Sequence, residues 1–219
     1  MDYPFSPRAN AYVRLIGLGV AAVLVLGAAV VFQTSLTPWV NSEEVYVNQP
    51  VPFSHKHHVS GLGIDCRYCH TSVQNSSSAG MPPTQTCMSC HSQVWTESEM
   101  LKPVRRSLKN DEPIQWNRVY DVPDYVYFNH SIHTNSGVAC ETCHGRVDQM
   151  PLMYEAEQMY MQWCLDCHRQ PEKYLRPQKY IYAFGYDLPD ETQRTVGARL
   201  VEEYGIRKDQ LTNCSVCHR

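Results

Sequence analysis

The 219-residue sequence has no cysteine outside a paired motif, no glycine-rich phosphate loop, no nucleophile set beside a base, and no stripe of basic residues. Each absence removes a class of function. With no cysteine left over, there is no isolated thiol to serve as a nucleophile. Without a Gly-rich loop ahead of a helix, there is no cradle for nucleotide phosphates. The charge is nearly balanced, with 19 Lys plus Arg against 22 Asp plus Glu and a formal net charge of -3. No basic surface is therefore set out for a nucleic acid backbone. Arg105 and Arg106 read as a solvated face. Long apolar runs are also missing, with one exception near the N-terminus.

What the chain does have is concentrated in ten cysteines and ten histidines. All ten cysteines fall into five Cys-x-x-Cys-His boxes. The first is Cys66, Cys69 and His70, and the second is Cys87, Cys90 and His91. The third is Cys140, Cys143 and His144, the fourth Cys164, Cys167 and His168, and the fifth Cys214, Cys217 and His218. A single such box suits a redox dithiol or half of a zinc site, and an even cysteine count suits a disulfide framework. None of these requires a histidine after the second cysteine every time. Covalent haem attachment does: the two thiols bond one porphyrin edge and the next side chain reaches the iron. The pattern predicts five covalently bound c-type haems, with His70, His91, His144, His168 and His218 as proximal ligands.

The exceptional apolar run is Leu15 to Phe32, 18 residues without a charge or strongly polar side chain. As a helix it rises about 27 Å, close to the hydrocarbon thickness of a bilayer, and it exceeds the h-region of a signal peptide. Arg8 and Arg14 precede it and Glu43 and Glu44 follow, which predicts a cytoplasmic N-terminus. Trp39 and Tyr46 suit the far interface. The expected division is a cytoplasmic 1–14, an anchor over 15–32, a linker over 33–49 and a periplasmic haem domain over 50–219.

Residues 50–219 give each box about 34 residues, too few for an ordinary side-chain core. The expected fold is a multihaem cytochrome c with haems at its core, wrapped by short helices and loops with little sheet, plus one N-terminal transmembrane helix. The domain also contains a repeat. Phe53-Ser54-His55-Lys56-His57-His58 precedes the first two boxes, and Phe128-Asn129-His130-Ser131-Ile132-His133 precedes the next two. Met81-Pro82 and Met150-Pro151 follow the first box of each pair. This predicts a two-haem unit over 50–127, a second over 128–185, and a single-haem segment over 186–219. Helices are expected over 96–109 and 190–204, the latter capped by Asp190 and stopped at Gly205, and a Ser-rich exposed loop over 75–78.

Every histidine outside the boxes lies in these two prefaces. Two imidazoles one helical turn apart address haems on different sides of the segment. His55, His58, His130 and His133 are therefore the expected distal ligands, with Phe53 and Phe128 packing on haem edges. The fifth distal ligand has two candidates. His57 completes the histidine count, but Ile132 takes its place in the second preface. A methionine thioether is the alternative, with Met153 or Met150 the expected residue.

With its Phe-x-His-x-x-His prefaces ahead of the boxes, the chain resembles the class III and triheme cytochrome group. More closely, it is similar to the pentahaem membrane-anchored cytochrome subunit of bacterial alternative complex III. That resemblance spans the anchor, the five boxes, the doubled preface and Gly80-Met81-Pro82-Pro83 before the second box. It implies an inner-membrane respiratory complex whose integral-membrane subunits oxidise quinol. Electrons then pass through an iron–sulfur subunit to these haems, and on to a monohaem cytochrome or a terminal oxidase. The subunit itself is expected to relay electrons without an active site. The alternative is an autonomous membrane-anchored quinol dehydrogenase feeding periplasmic reductases. The hexahaem subunit of quinone reductase complexes is similar in design but would need a sixth box.

Overall fold

The computed structural model describes residues 6–35, 37, 40 and 43–218, so Trp39 lies outside the described residues. The chain divides into two units, Met1–Glu43 and Glu44–Arg219.

The first unit is built on α1, Pro7–Ser35. Its side chains are apolar on every face, and Leu18, Val23 and Leu24 are each more than two-thirds exposed, at 69%, 68% and 68%. A helix that is hydrophobic all round belongs inside a large core or a membrane. No part of its apolar stretch is buried by this chain, and it is long and apolar enough to cross a bilayer.

The second unit consists of short helices joined by loops. They are α2 Cys66–Cys69, α3 Thr84–His91, α4 Lys102–Asn110, α5 His130–Asn135, α6 Cys140–His144, α7 Met161–Arg169, α8 Asp190–Glu203 and α9 Cys214–Cys217. Each box thus forms a turn of helix, which brings cysteines three residues apart onto one face. Side-chain caps set some of these starts. Asp65 accepts from the Arg67 N–H ahead of α2, and Asn129 accepts from Ser131 and Ile132 ahead of α5. The first preface forms a single π-helical turn, Lys56–Gly61. Among the described residues, β-pairing is confined to two isolated bridges, Val126 with His218 and Val138 with Leu175.

Only nine hydrophobic side chains are buried among the described residues, including Val104, Met150, Leu175, Ile181 and Leu200. Their main cluster joins Val51, Leu101 and Val104, with Cys87, Met88, Ile114 and Trp116 packed against it. So thin a core does not hold a domain of this size by itself.

The two expected helices are present with shifted limits. The first opens as a 3-10 turn at Glu99–Leu101 and continues as α4 to Asn110, where Asp111 turns left-handed at φ 55°. Pro103 in its first turn accounts for the late start. The second, α8, is preceded by Pro189 in the capping position, with Asp190 already helical. Helix α8 packs on the 3-10 turn Pro171–Lys173 at Gly197. A Cβ on Gly197 would stand 1.9 Å from the Glu172 carbonyl oxygen, so only glycine permits this approach.

Candidate metal centres

Three pairs of imidazoles face each other at nearly one distance. His58 and His91 have ring centres 6.2 Å apart, His130 and His144 6.3 Å, and His133 and His168 6.1 Å. Each pair joins a preface histidine to a box histidine. Two imidazoles bonded to one metal at about 2.0 Å per nitrogen place their ring centres about 6.2 Å apart, which fits all three pairs. Three preface histidines thus face boxes 2, 3 and 4 in order: His58 faces His91, His130 faces His144 and His133 faces His168. His55, the remaining expected distal histidine, is buried with His70 among its neighbouring imidazoles.

Among the described residues, no three His, Cys, Asp or Glu side chains converge as a site for a bare metal ion. Ligands gathered in pairs suit a metal whose other four positions come from a planar macrocycle. The residues therefore fit haem better than an isolated ion.

Backbone carbonyls orient most of these rings. The Nδ1 atoms of His58 and His133 bond the carbonyl four residues earlier, Ser54 at 2.8 Å and Asn129 at 2.7 Å. His70 bonds Gly80 at 2.7 Å, His91 bonds Val94 at 3.1 Å, and His130 bonds Ser77 at 2.8 Å. His168 bonds Leu211 at 2.8 Å and His218 bonds Tyr125 at 3.1 Å. A carbonyl acceptor fixes the proton on Nδ1 and frees the Nε2 lone pair for a metal. Gly80 delivers its carbonyl from a positive-φ turn, at +81°, where a Cβ would meet the Ser72 hydroxyl at 2.6 Å. These acceptors are backbone atoms, three of them on distant segments, so no side-chain pattern advertised them. The Ser-rich loop expected to be merely exposed is one of them, since Ser76 and Ser77 hold α5.

The two phenylalanines occupy matching positions. Phe53 stacks on His58 at 4.4 Å and meets His55 edge-on at 4.8 Å. Phe128 stacks on His133 at 4.5 Å and meets His130 edge-on at 4.8 Å. The structure thus gives each ring a role beyond a haem edge: it wedges two imidazoles of its own preface into divergent directions.

Burial drives the imidazoles of His55 and His144 down to about 4, with neighbouring histidines adding to the effect. Burial also lowers His58 and His133. All four are held neutral at physiological pH, the form that can donate a lone pair to a metal. Burial pushes the Cys143 thiol up to about 12 and the Cys167 thiol up to about 11, aided by neighbouring thiols.

The fifth box is the exception. His218 contacts Tyr125, and the Tyr127 N–H donates to the Cys217 carbonyl at 2.8 Å. His57 stands elsewhere, exposed and stacked on Trp95 at 6.1 Å, beside the second box that His58 already faces. Met150 is 1% exposed and packs toward Gly145 beside the third box. The Met153 carbonyl accepts from Val47 at 3.0 Å. Met161, missed as a specific candidate, lies one turn before Cys164, whose thiol interacts with that of Cys217.

Comparison with known proteins adds two findings. A family model described as cytochrome c7 and related cytochrome c matches residues 51–106 and 126–219. The chain is also 32% identical over 153 residues to the multiheme cytochrome c subunit of menaquinone reductase from Nitratidesulfovibrio vulgaris Hildenborough, covering 59% of this chain and 73% of that protein.

Proposed function

Because the chain belongs to the family of cytochrome c7 and related cytochromes c, with haem c held covalently, we propose that it is the five-haem electron-relay subunit of a quinone-linked membrane oxidoreductase. In this reading α1 anchors it in a bacterial inner membrane, N-terminus inside, with the haem domain in the periplasm. Its partners are integral-membrane quinol-oxidising subunits and an iron–sulfur subunit, and its acceptor is a monohaem cytochrome or a terminal oxidase. When bound, the haems supply reversible one-electron chemistry at iron.

The protein's own work is attachment, orientation and exclusion of water. Ten thiols hold the five porphyrins. His55 with His70, His58 with His91, His130 with His144 and His133 with His168 provide four bis-histidine sites. His218 provides one ligand of the fifth, completed by a methionine thioether. Met161 joins Met153 as a candidate for that place, whereas the packing of Met150 ties it to the third box. His57 is left as a surface ring on Trp95. The observation that carries the reading is the spacing of 6.1 to 6.3 Å in three preface-to-box pairs.

A second reading concerns direction. The similar protein is named as part of a menaquinone reductase, which favours electron delivery to quinone rather than removal from quinol. One experiment addresses both. Intact mass and pyridine haemochrome analysis of the mature chain should give five haems, and four or fewer would sink the count. Menaquinol added to the intact complex should then reduce the haems, and added to the isolated chain should not. Reduction of the isolated chain would make it an autonomous quinol dehydrogenase. Oxidation of pre-reduced haems by menaquinone, with no reaction toward menaquinol, would establish the reverse direction.

A further inference from the structure

We infer that the five sites stand in the spatial order box 2, box 1, box 3, box 4, box 5, so that the electron route doubles back on the sequence and has the second and fifth boxes as its ends. The inference rests on the pairing of prefaces and boxes proposed above.

Boxes 1 and 2 adjoin because His55 and His58 lie one turn apart on one segment and face one box each. Their box helices also touch, with the Tyr68 hydroxyl 2.9 Å from the Ser89 hydroxyl. These two residues are the variable positions just before Cys69 and Cys90. Boxes 3 and 4 adjoin in the same way, through His130 and His133 on α5. Boxes 4 and 5 adjoin because His168 bonds the carbonyl of Leu211, three residues before Cys214.

The link between the two units runs from box 1 to box 3. Cys66 and Cys140, each first in its box, are neighbours. Each preface is clasped by the loop that follows the other unit's first box. The Lys56 N–H donates to Met150 at 3.0 Å and the Ser60 hydroxyl to Asp148 at 2.6 Å. In return, the His130 and Ser131 N–H groups donate to Ser77 and Ser76, each at 3.1 Å. The duplicated units therefore meet at their first boxes, in a near-twofold exchange. Box 2 is turned outward, where Cys90 is exposed and Trp95 stands 57% exposed. An electron moving between box 2 and box 4 passes both central sites.

Two ligand exchanges in the full-length holoprotein test the order. Replacing a distal histidine with methionine raises the potential of that haem, so it can be reduced first and made diamagnetic while its neighbours stay ferric. The readout is the number of remaining haems whose electron paramagnetic resonance signals change. The spatial order expects two altered neighbours in His55→Met and one in His58→Met. An order following the sequence expects the reverse, one and then two, and that result overturns the inference. A near-infrared magnetic circular dichroism band for His/Met ligation must appear in each variant. Its absence would show that the ligand pairing, not the order, has failed. Where a variant loses a haem, cryo-electron microscopy of the wild-type loaded chain decides. The order stands if the irons of boxes 1 and 3 are the closest pair between the units, and falls if a box 2 iron is closer to box 3.

Discussion

The two halves of the haem domain share one pattern and differ in what braces it. In both, a phenylalanine wedges two imidazoles at nearly identical distances, and the second imidazole bonds the carbonyl four residues earlier. The surroundings then diverge. His130 has its Nδ1 on the Ser77 carbonyl, whereas the buried Nδ1 of His55 has no partner among the described residues. The cause is loop length: residues 71–80 separate His70 from Met81, while only 145–149 separate His144 from Met150. The shorter loop still reaches the backbone of Lys56 but not the ring of His55. The ligand geometry is thus a local property of the preface, and its support is a tertiary one.

The sharpest way to break this comparison is at the brace that only the second half possesses. Gly197→Ala would drive a methyl group into the Glu172 carbonyl, at a cost above about 4 kcal/mol if helix α8 stays docked. Proteolysis of the holoprotein should then show α8 released, with the ligation spectrum of the first two boxes retained. Loss of ligation in boxes 1 and 2 as well would show that the halves are one cooperative unit.

A smaller contrast lies inside the boxes. The residue after the first cysteine is Arg67 in box 1 and Glu141 in box 3. Arg67 pairs with Asp65 at the surface, with side chains 50% and 45% exposed. It also lies over the Tyr182 ring at 4.5 Å. Glu141 instead accepts from Arg176 at 2.9 Å with side chains only 14% and 13% exposed, and also from the Gly185 N–H. Glu141→Gln leaves a largely buried guanidinium short of its charge partner and should cost about 3 kcal/mol. Arg67→Gln should cost no more than about 1 kcal/mol. Thermal unfolding of the two variants side by side measures the contrast, and equal losses would refute it.

The smallest effect tests the shared pattern. Phe53→Leu and Phe128→Leu each remove a ring that contacts two imidazoles, and each should cost about 1 kcal/mol. Equal shifts in unfolding midpoint are expected. Unequal shifts would mean that the wedge matters more where His55 lacks a carbonyl anchor.

The boxes and prefaces were legible in the sequence because covalent attachment and axial ligation demand fixed residue types at fixed short spacings. The apolar run was legible because its length and unbroken apolar composition stand out from the rest of the chain. What stayed hidden depends on residues far apart in the chain. The Glu141–Arg176 pair, the Ser77 and Leu211 carbonyls and the Cys66–Cys140 contact each span more than thirty residues. A backbone carbonyl also has no side-chain signature, so the anchors of seven imidazoles left no trace to read. A thioether ligand and a core filler also look alike in sequence, so the methionines gave no single candidate.

The exchanged clasp also sets a timetable for making the protein. Loops that hold the first preface lie beyond the third box, and loops that hold the second lie behind it. As the chain is made from its N-terminus, the first half has nothing to close against until Asp148 and Met150 have appeared. Contacts of such long sequence separation form late. The first two boxes therefore stay unclosed until the third has been made, and the molecule locks only after its centre is complete.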